Sequence, residues 1–209
     1  MTDDADLDEL RLLTRALRAH VEWQATTGAT GLQRATQETR AVAAPASAAA
    51  TPASAAPPVV NGDVKLRLEV IAETVRSCTR CGLSKHRKQT VFARGTGSSG
   101  VCFVGEGPGA DEDAQGLPFV GAAGQLLDRM IAAMGLGRDE VYVCNIVKCR
   151  PPDNRKPELD EMAACIPYLN EQLDLIKPRV IVALGATAVQ GLLGTTEGII
   201  RLRGRWKQY

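Results

Sequence analysis

The sequence predicts an α/β layer fold built on a parallel sheet. Three observations carry the prediction. Short apolar runs of strand length stand at 101–104, 141–144 and 179–184. Segments with helical spacing separate them, the alternation that places crossover helices between parallel strands. The length, 209 residues, suits one ordinary domain with appendages. Hydrophobic residues make up 44% and charged residues 23%, as in soluble proteins generally. No run of about 18 consecutive apolar residues appears, which argues against a transmembrane helix. The start, MTDDADLDEL, is acidic where a secretory signal is cationic and then apolar. A cytoplasmic protein is the expectation.

The elements follow in order. Residues 5–27 carry Leu7, Leu10, Leu13, Leu17 and Val21 at three- and four-residue steps. That spacing predicts an amphipathic helix, within an N-terminal segment 1–32, whose acidic start suits the helix dipole. Residues 41–58 are all Ala, Pro, Ser, Thr or Val, with ten Ala and four Pro. Such a stretch cannot repay the entropy of ordering, so 33–63 reads as a disordered linker. The folded domain is expected over 64–209. Residues 64–77 read as a helix, 101–104 as a strand entering a glycine-rich turn, and 122–135 as a helix. The strand 141–144 precedes a helix at 157–176, where Pro157 suits the first turn. The run 179–184 (RVIVAL) has the continuous apolar character of a buried parallel strand, and 187–193 closes as a helix.

Charge is distributed unevenly. Residues 1–63 hold five Lys/Arg against eight Asp/Glu, and 64–209 hold 20 against 16. Six basic residues fall between Arg76 and Arg94 without an acid, and four more between Arg201 and Lys207. Two such runs point to a polyanionic partner. The six cysteines of a cytosolic chain are not expected to pair as disulfides. Cys78 and Cys81 form a C-x2-C bite on one turn, suited to gripping a single metal or cluster. Cys149 and Cys165 could complete a tetrathiolate site for zinc or iron–sulfur, and the spacing alone does not choose. Cys102 and Cys144 fall inside apolar strands and read as small buried hydrophobes.

After the first strand comes GEGPGADED. Gly105, Gly107 and Ala110 match G-x-G-x-x-A, but a dinucleotide site fits poorly. Pro108 removes an amide, Asp111, Glu112 and Asp113 would repel a pyrophosphate, and Asn145 stands where an acid is expected. No P-loop motif is present. Such a turn can instead bring backbone amides against a small flat ligand. Phe119, between Pro118 and Val120-Gly121, is a candidate aromatic face. Asn145, at the end of the second strand, can donate and accept in one plane, as a base edge requires. These features lie at the C-terminal ends of strands, where open parallel sheets bind ligands.

The stretches GEGPGADEDAQGLPFVGAAGQLLD and CNIVKCRPPDNRKP, followed by Cys165, resemble the family-four uracil-DNA glycosylases. The likeness spans residues 64–206. It implies a three-layer α/β/α domain with a central, mainly parallel sheet, acting as a monomer on uracil-containing DNA in base excision repair. It implies a 4Fe-4S cluster held by Cys78, Cys81, Cys149 and Cys165. Phe119 would stack on a flipped uracil, and Asn145 would read its polar edge. Glu106 and Gly107 would hold a uracil carbonyl through their amides, with Glu106 and Asn145 as the catalytic pair. Glu112 would line the pocket near the base. The two basic runs would contact phosphates.

The sequence departs from the family in one respect. The family carries a His-Pro dipeptide near its C-terminus whose histidine donates to the uracil. The histidines here are His20 and His86, and neither precedes proline. A chain truncated relative to the family, with impaired turnover, is therefore expected. The alternative reading is a non-catalytic iron–sulfur module that binds DNA.

Overall fold

The computed structural model describes residues 62–209. The predicted helix at 5–27, and the linker at 33–63 apart from its last two residues, lie outside the described residues. Helix α1 (Gly62–Arg76) begins two residues before the predicted domain start. Asp63 in its first turn and Arg76 in its last complement the helix dipole.

Four strands form one sheet in the order β1-β3-β2-β4. They are β1 (Ala93–Arg94), β2 (Val101–Gly105), β3 (Tyr142–Asn145) and β4 (Val180–Ala183). β2 runs parallel to both β3 and β4, and the two-residue β1 joins β3 antiparallel. The predicted mainly parallel sheet is therefore present, with one strand that the sequence reading lacked. Helices α2 (Ala110–Gln115) and α3 (Ala122–Ala133) connect β2 to β3. Helix α4 (Leu159–Ile176) connects β3 to β4, and α5 (Ala186–Leu193) and α6 (Ile199–Leu202) follow.

Strand alternation splits the core into two layers. Cys102, Val104, Tyr142 and Cys144 face Met162, Leu169, Leu173 and Ile176 of α4 on one side. Phe103 and Val143 face Leu127 and Ile131 of α3 on the other. Cys102 and Cys144 are fully buried, the small hydrophobes their strand positions predict.

Two readings need correction. Pro157 is not in the first turn of α4: the N-cap is Glu158, so the proline precedes the helix. There it ends the loop, while Glu161 folds back so that its carboxylate accepts from the Glu158 amide at 2.8 Å. β4 is parallel but not buried, for all four of its residues are partly exposed. It is an edge strand, and it lines a groove of about 800 Å³ with Leu193, Leu202 and Trp206. Its continuous apolar run reflects two packed faces, Ile181 and Ala183 on one and Val182 on the other. No helix among the described residues is long and apolar enough to cross a membrane.

Candidate active site

Gly105 and Asn145 are the last residues of adjacent parallel strands and stand opposite each other in register. The chain beyond them stays paired. The Ile146 amide donates to the Gly105 carbonyl at 2.9 Å, and the Val147 amide to the Glu106 carbonyl at 3.1 Å. Glu106 and Gly107 are thereby held against the exit of β3. Gly107 must be small, because a Cβ there would come 2.7 Å from Cγ2 of Val147.

Gly105 has a more specific reason to be glycine. A Cβ would strike Oδ1 of Asn145 and lie 2.6 and 2.9 Å from the ring atoms Cζ and Cε2 of Phe119. The carboxamide and the aromatic ring therefore converge over one bare backbone position. Asn145 is 2% exposed, and its Oδ1 has no hydrogen-bond partner. A buried acceptor left unpaired costs about 1–3 kcal/mol and calls for an explanation. A ligand carrying an N–H donor supplies one.

Phe119 is partly exposed and holds φ at 56°, a left-handed value unfavourable for a bulky residue. Contacts on both sides of it hold that conformation. One carboxylate oxygen of Glu112 accepts from the amides of Val120 and Gly121, each at 3.0 Å. The other accepts from Gly109 at 3.1 Å. Burial raises the Glu112 carboxyl pKa, but the hydrogen bonds from Gly121, its own amide, Val120 and Gly109 outweigh it. The carboxyl is held below its ordinary range. On the near side, Nε of Arg94 donates to the Pro118 carbonyl at 3.2 Å, while Nη2 pairs with Asp128 at 2.5 Å. Gly124, in the first turn of α3, lets the Phe119 carbonyl approach where a side chain would collide. Glu112 thus spends its carboxylate on the loop that carries Phe119. Asp113 is also buried and accepts from the Lys88 amide at 2.9 Å.

Cys78, Cys81, Cys149 and Cys165 line one small cavity. They come from four places: the exit of α1, the turn before a 3-10 segment (Gly82–Lys85), the loop after β3, and α4. Among the described residues no group of three or more His, Cys, Asp and Glu is arranged as a ready metal cage. Two of the sulfurs already accept hydrogen bonds. Nη1 of Arg87 lies 3.1 Å from Sγ of Cys149, and the Lys148 amide lies 3.3 Å from Sγ of Cys165. Burial pushes the Cys165 thiol up to about 11, against the opposing pull of Lys148. Burial also raises Cys149, against the Arg87 guanidinium. Both stay protonated at neutral pH unless a cation stabilises the thiolate.

The first basic run is not a uniform phosphate-facing strip. The Arg87 guanidinium turns inward, also donating to the carbonyls of Cys78 and Arg76 at 2.8 and 2.9 Å. The Arg94 side chain is 8% exposed and serves the Phe119 loop. Their oxygen acceptors are main-chain carbonyls and, for Arg94, the Asp128 carboxylate, which Arg138 also pairs at 3.0 Å. Arg76, Arg80, Lys85 and Lys88 remain exposed, as do Arg201, Arg203, Arg205 and Lys207.

Sequence reasoning missed Lys148, Arg87 and Arg94 as site residues. The available signal for Lys148 was a lone charge in the apolar run after Asn145. For the arginines there was none, since their inward turn depends on acceptors distant in sequence.

A family model for the uracil DNA glycosylase superfamily matches residues 92–208. The type-4 uracil-DNA glycosylase of Thermotoga maritima is 46% identical over 138 residues, covering 66% of this chain and 72% of that protein. The type-4 uracil-DNA glycosylase of Pyrobaculum aerophilum is 47% identical over 126 residues, covering 60% and 64%. That of Archaeoglobus fulgidus is 48% identical over 123 residues, covering 59% and 62%. The chain spans between 62 and 72% of the length of these three relatives. The segment matched by the family model contains Phe119, Asn145 and the ends of β2 and β3, and on that footing the chain belongs to the uracil-DNA glycosylase superfamily.

Proposed function

We propose that this chain excises uracil from DNA by hydrolysing the N-glycosidic bond, as a base excision repair glycosylase. The observation that carries the reading is the buried, unpartnered Oδ1 of Asn145 facing the Phe119 ring across Gly105. Uracil has a flat face and an N–H donor beside a carbonyl acceptor. The Asn145 carboxamide accepts from that N–H through Oδ1 and donates to the carbonyl through Nδ2. Cytosine presents the reverse pattern and would leave both groups unpaired, a large penalty in a buried site.

The base must first leave the stack, which costs a few kcal/mol. Phe119 offsets part of that cost by stacking, in a loop already fixed by Glu112 and Arg94. Bond cleavage leaves negative charge on the uracil and positive charge on the sugar. The amides around Glu106 and Gly107 hold a uracil carbonyl and stabilise the charge that develops there. Water then attacks the sugar, with no covalent enzyme intermediate. Exposed arginines and lysines of both basic runs contact phosphates.

The donor set at the second centre fits a 4Fe-4S cluster. It is four thiols with no carboxylate among the lining residues, and N–H donors are already aimed at two of the sulfurs. Cys78, Cys81, Cys149 and Cys165 would hold it. Bound there, the cluster supplies a cross-link between α1, α4 and the loop after β3.

The test is incubation of the anaerobically purified chain with a labelled oligonucleotide carrying one uracil, followed by alkali. Strand cleavage at the uracil, slow because neither His20 nor His86 precedes a proline and lost in Asn145→Ala, is the expected result. Uracil-dependent binding without an abasic product would favour the non-catalytic module instead.

A further inference from the structure

Lys148 is the largest fully buried side chain of the described residues, with no solvent exposure. A buried ammonium is costly unless it is hydrogen-bonded and balanced by negative charge. Its Nζ donates to the main-chain carbonyl of Asn145 at 2.8 Å. It also lies 5.9 Å from the centre of the Phe92 ring. None of the ion pairs among the described residues includes it. The same residue lines the four-cysteine cavity, and its amide points at Sγ of Cys165. Its own carbonyl is fixed by the Val91 amide at 2.8 Å.

We propose that Lys148 is a positioning residue whose ammonium anchors the Asn145 peptide while its own amide holds the sulfur of Cys165 in the four-cysteine centre. The proposal rests on the reading of Asn145 as the base-reading group. The peptide beyond Asn145 is held at its amide end, where Ile146 donates to the Gly105 carbonyl at 2.9 Å, and Lys148 holds its carbonyl end at 2.8 Å. A charge-assisted hydrogen bond to that carbonyl fixes the plane of the peptide, and with it the direction of the carboxamide. The two centres are joined through one residue, its amide on the sulfur side and its ammonium on the base side.

The test is a double-mutant cycle on the full chain, purified anaerobically, with Lys148→Met, Asn145→Ala and both together. Two quantities are read: single-turnover excision, and binding to DNA carrying 2′-fluoro-2′-deoxyuridine, which resists cleavage, relative to thymine in the same position. Loss of one charged hydrogen bond predicts a fall on the order of tenfold to a hundredfold in Lys148→Met. In the Asn145→Ala background the same substitution should change little, because the residue it positions is gone. A merely structural lysine would cost as much in both backgrounds.

A wild-type rate and wild-type binding in Lys148→Met overturn the proposal, as does an equal loss in both backgrounds. If Lys148→Met fails to fold, Lys148→Gln carries the same cycle. If neither folds, the lysine serves the fold and the positioning role is overturned. A wild type showing neither excision nor uracil-dependent binding instead overturns the reading of Asn145, and the proposal with it.

Discussion

Phe119 and Asn145 each hold a conformation or a burial that an ordinary core position would not retain. The φ of 56° at Phe119 costs about 1–2 kcal/mol, and the unpaired Oδ1 of Asn145 adds a comparable cost. Glu112 offsets the first by accepting from the amides on the far side of the aromatic residue. Glu112→Gln keeps the volume but loses the charge and one acceptor, so Phe119 should lose its fixed position. Binding of uracil-containing DNA should fall about tenfold. The carboxyl is depressed in the folded state, so its stabilisation is complete above the unfolded value of about 4.3 and lost as pH falls through the lower folded value. Thermal melts across that acid range should show the wild type losing more stability than Glu112→Gln; parallel curves would contradict this. Gly105→Ala is the complementary test. It should fold, at a cost of about 1–3 kcal/mol, yet lose excision by roughly a hundredfold because its methyl occupies the space between ring and carboxamide.

Elements bring the four cysteines together, and elements set what could be read from the sequence. Cys165→Ser should abolish the visible absorbance and iron content of the purified chain. Cys102→Ser should leave both intact and lower only the melting temperature, since Cys102 is buried in the sheet away from the cavity. Equal iron loss in both would contradict that division. The larger elements were legible. α3 and α4 carry regular apolar spacing, and β2 and β3 are buried apolar runs between glycine-rich or polar loops. β1 was not, because two residues have no period; Ala93 and Arg94 become a strand only by pairing with Cys144 and Val143. α2 was hidden in the glycine turn, its acidic residues read for charge rather than for structure. Asn145 and Phe119 were legible as chemistry, but the bare Gly105 between them emerged only from their packing. The inward turns of Arg87, Arg94 and Lys148 depend on acceptors that no local pattern announces.

At the scale of the whole molecule, charge and site must act on one polymer. The exposed basic residues Arg203 and Arg205 lie beyond α6, on the groove beside β4 and apart from Phe119 and Asn145 in sequence. Replacing both with alanine should weaken DNA binding to the same extent with uracil or thymine present. It should also reduce the salt slope of log K by about 1–2. A uracil-specific effect would place them in the pocket instead. Everything proposed for the site turns on the Asn145 carboxamide as the group that reads uracil. The most direct measurement is single-turnover release of uracil from a labelled oligonucleotide by the wild type and by Asn145→Ala, each checked for intact visible absorbance. Release by the wild type is expected, with a loss on the order of 100- to 1,000-fold in the variant. Equal release from both proteins would contradict it.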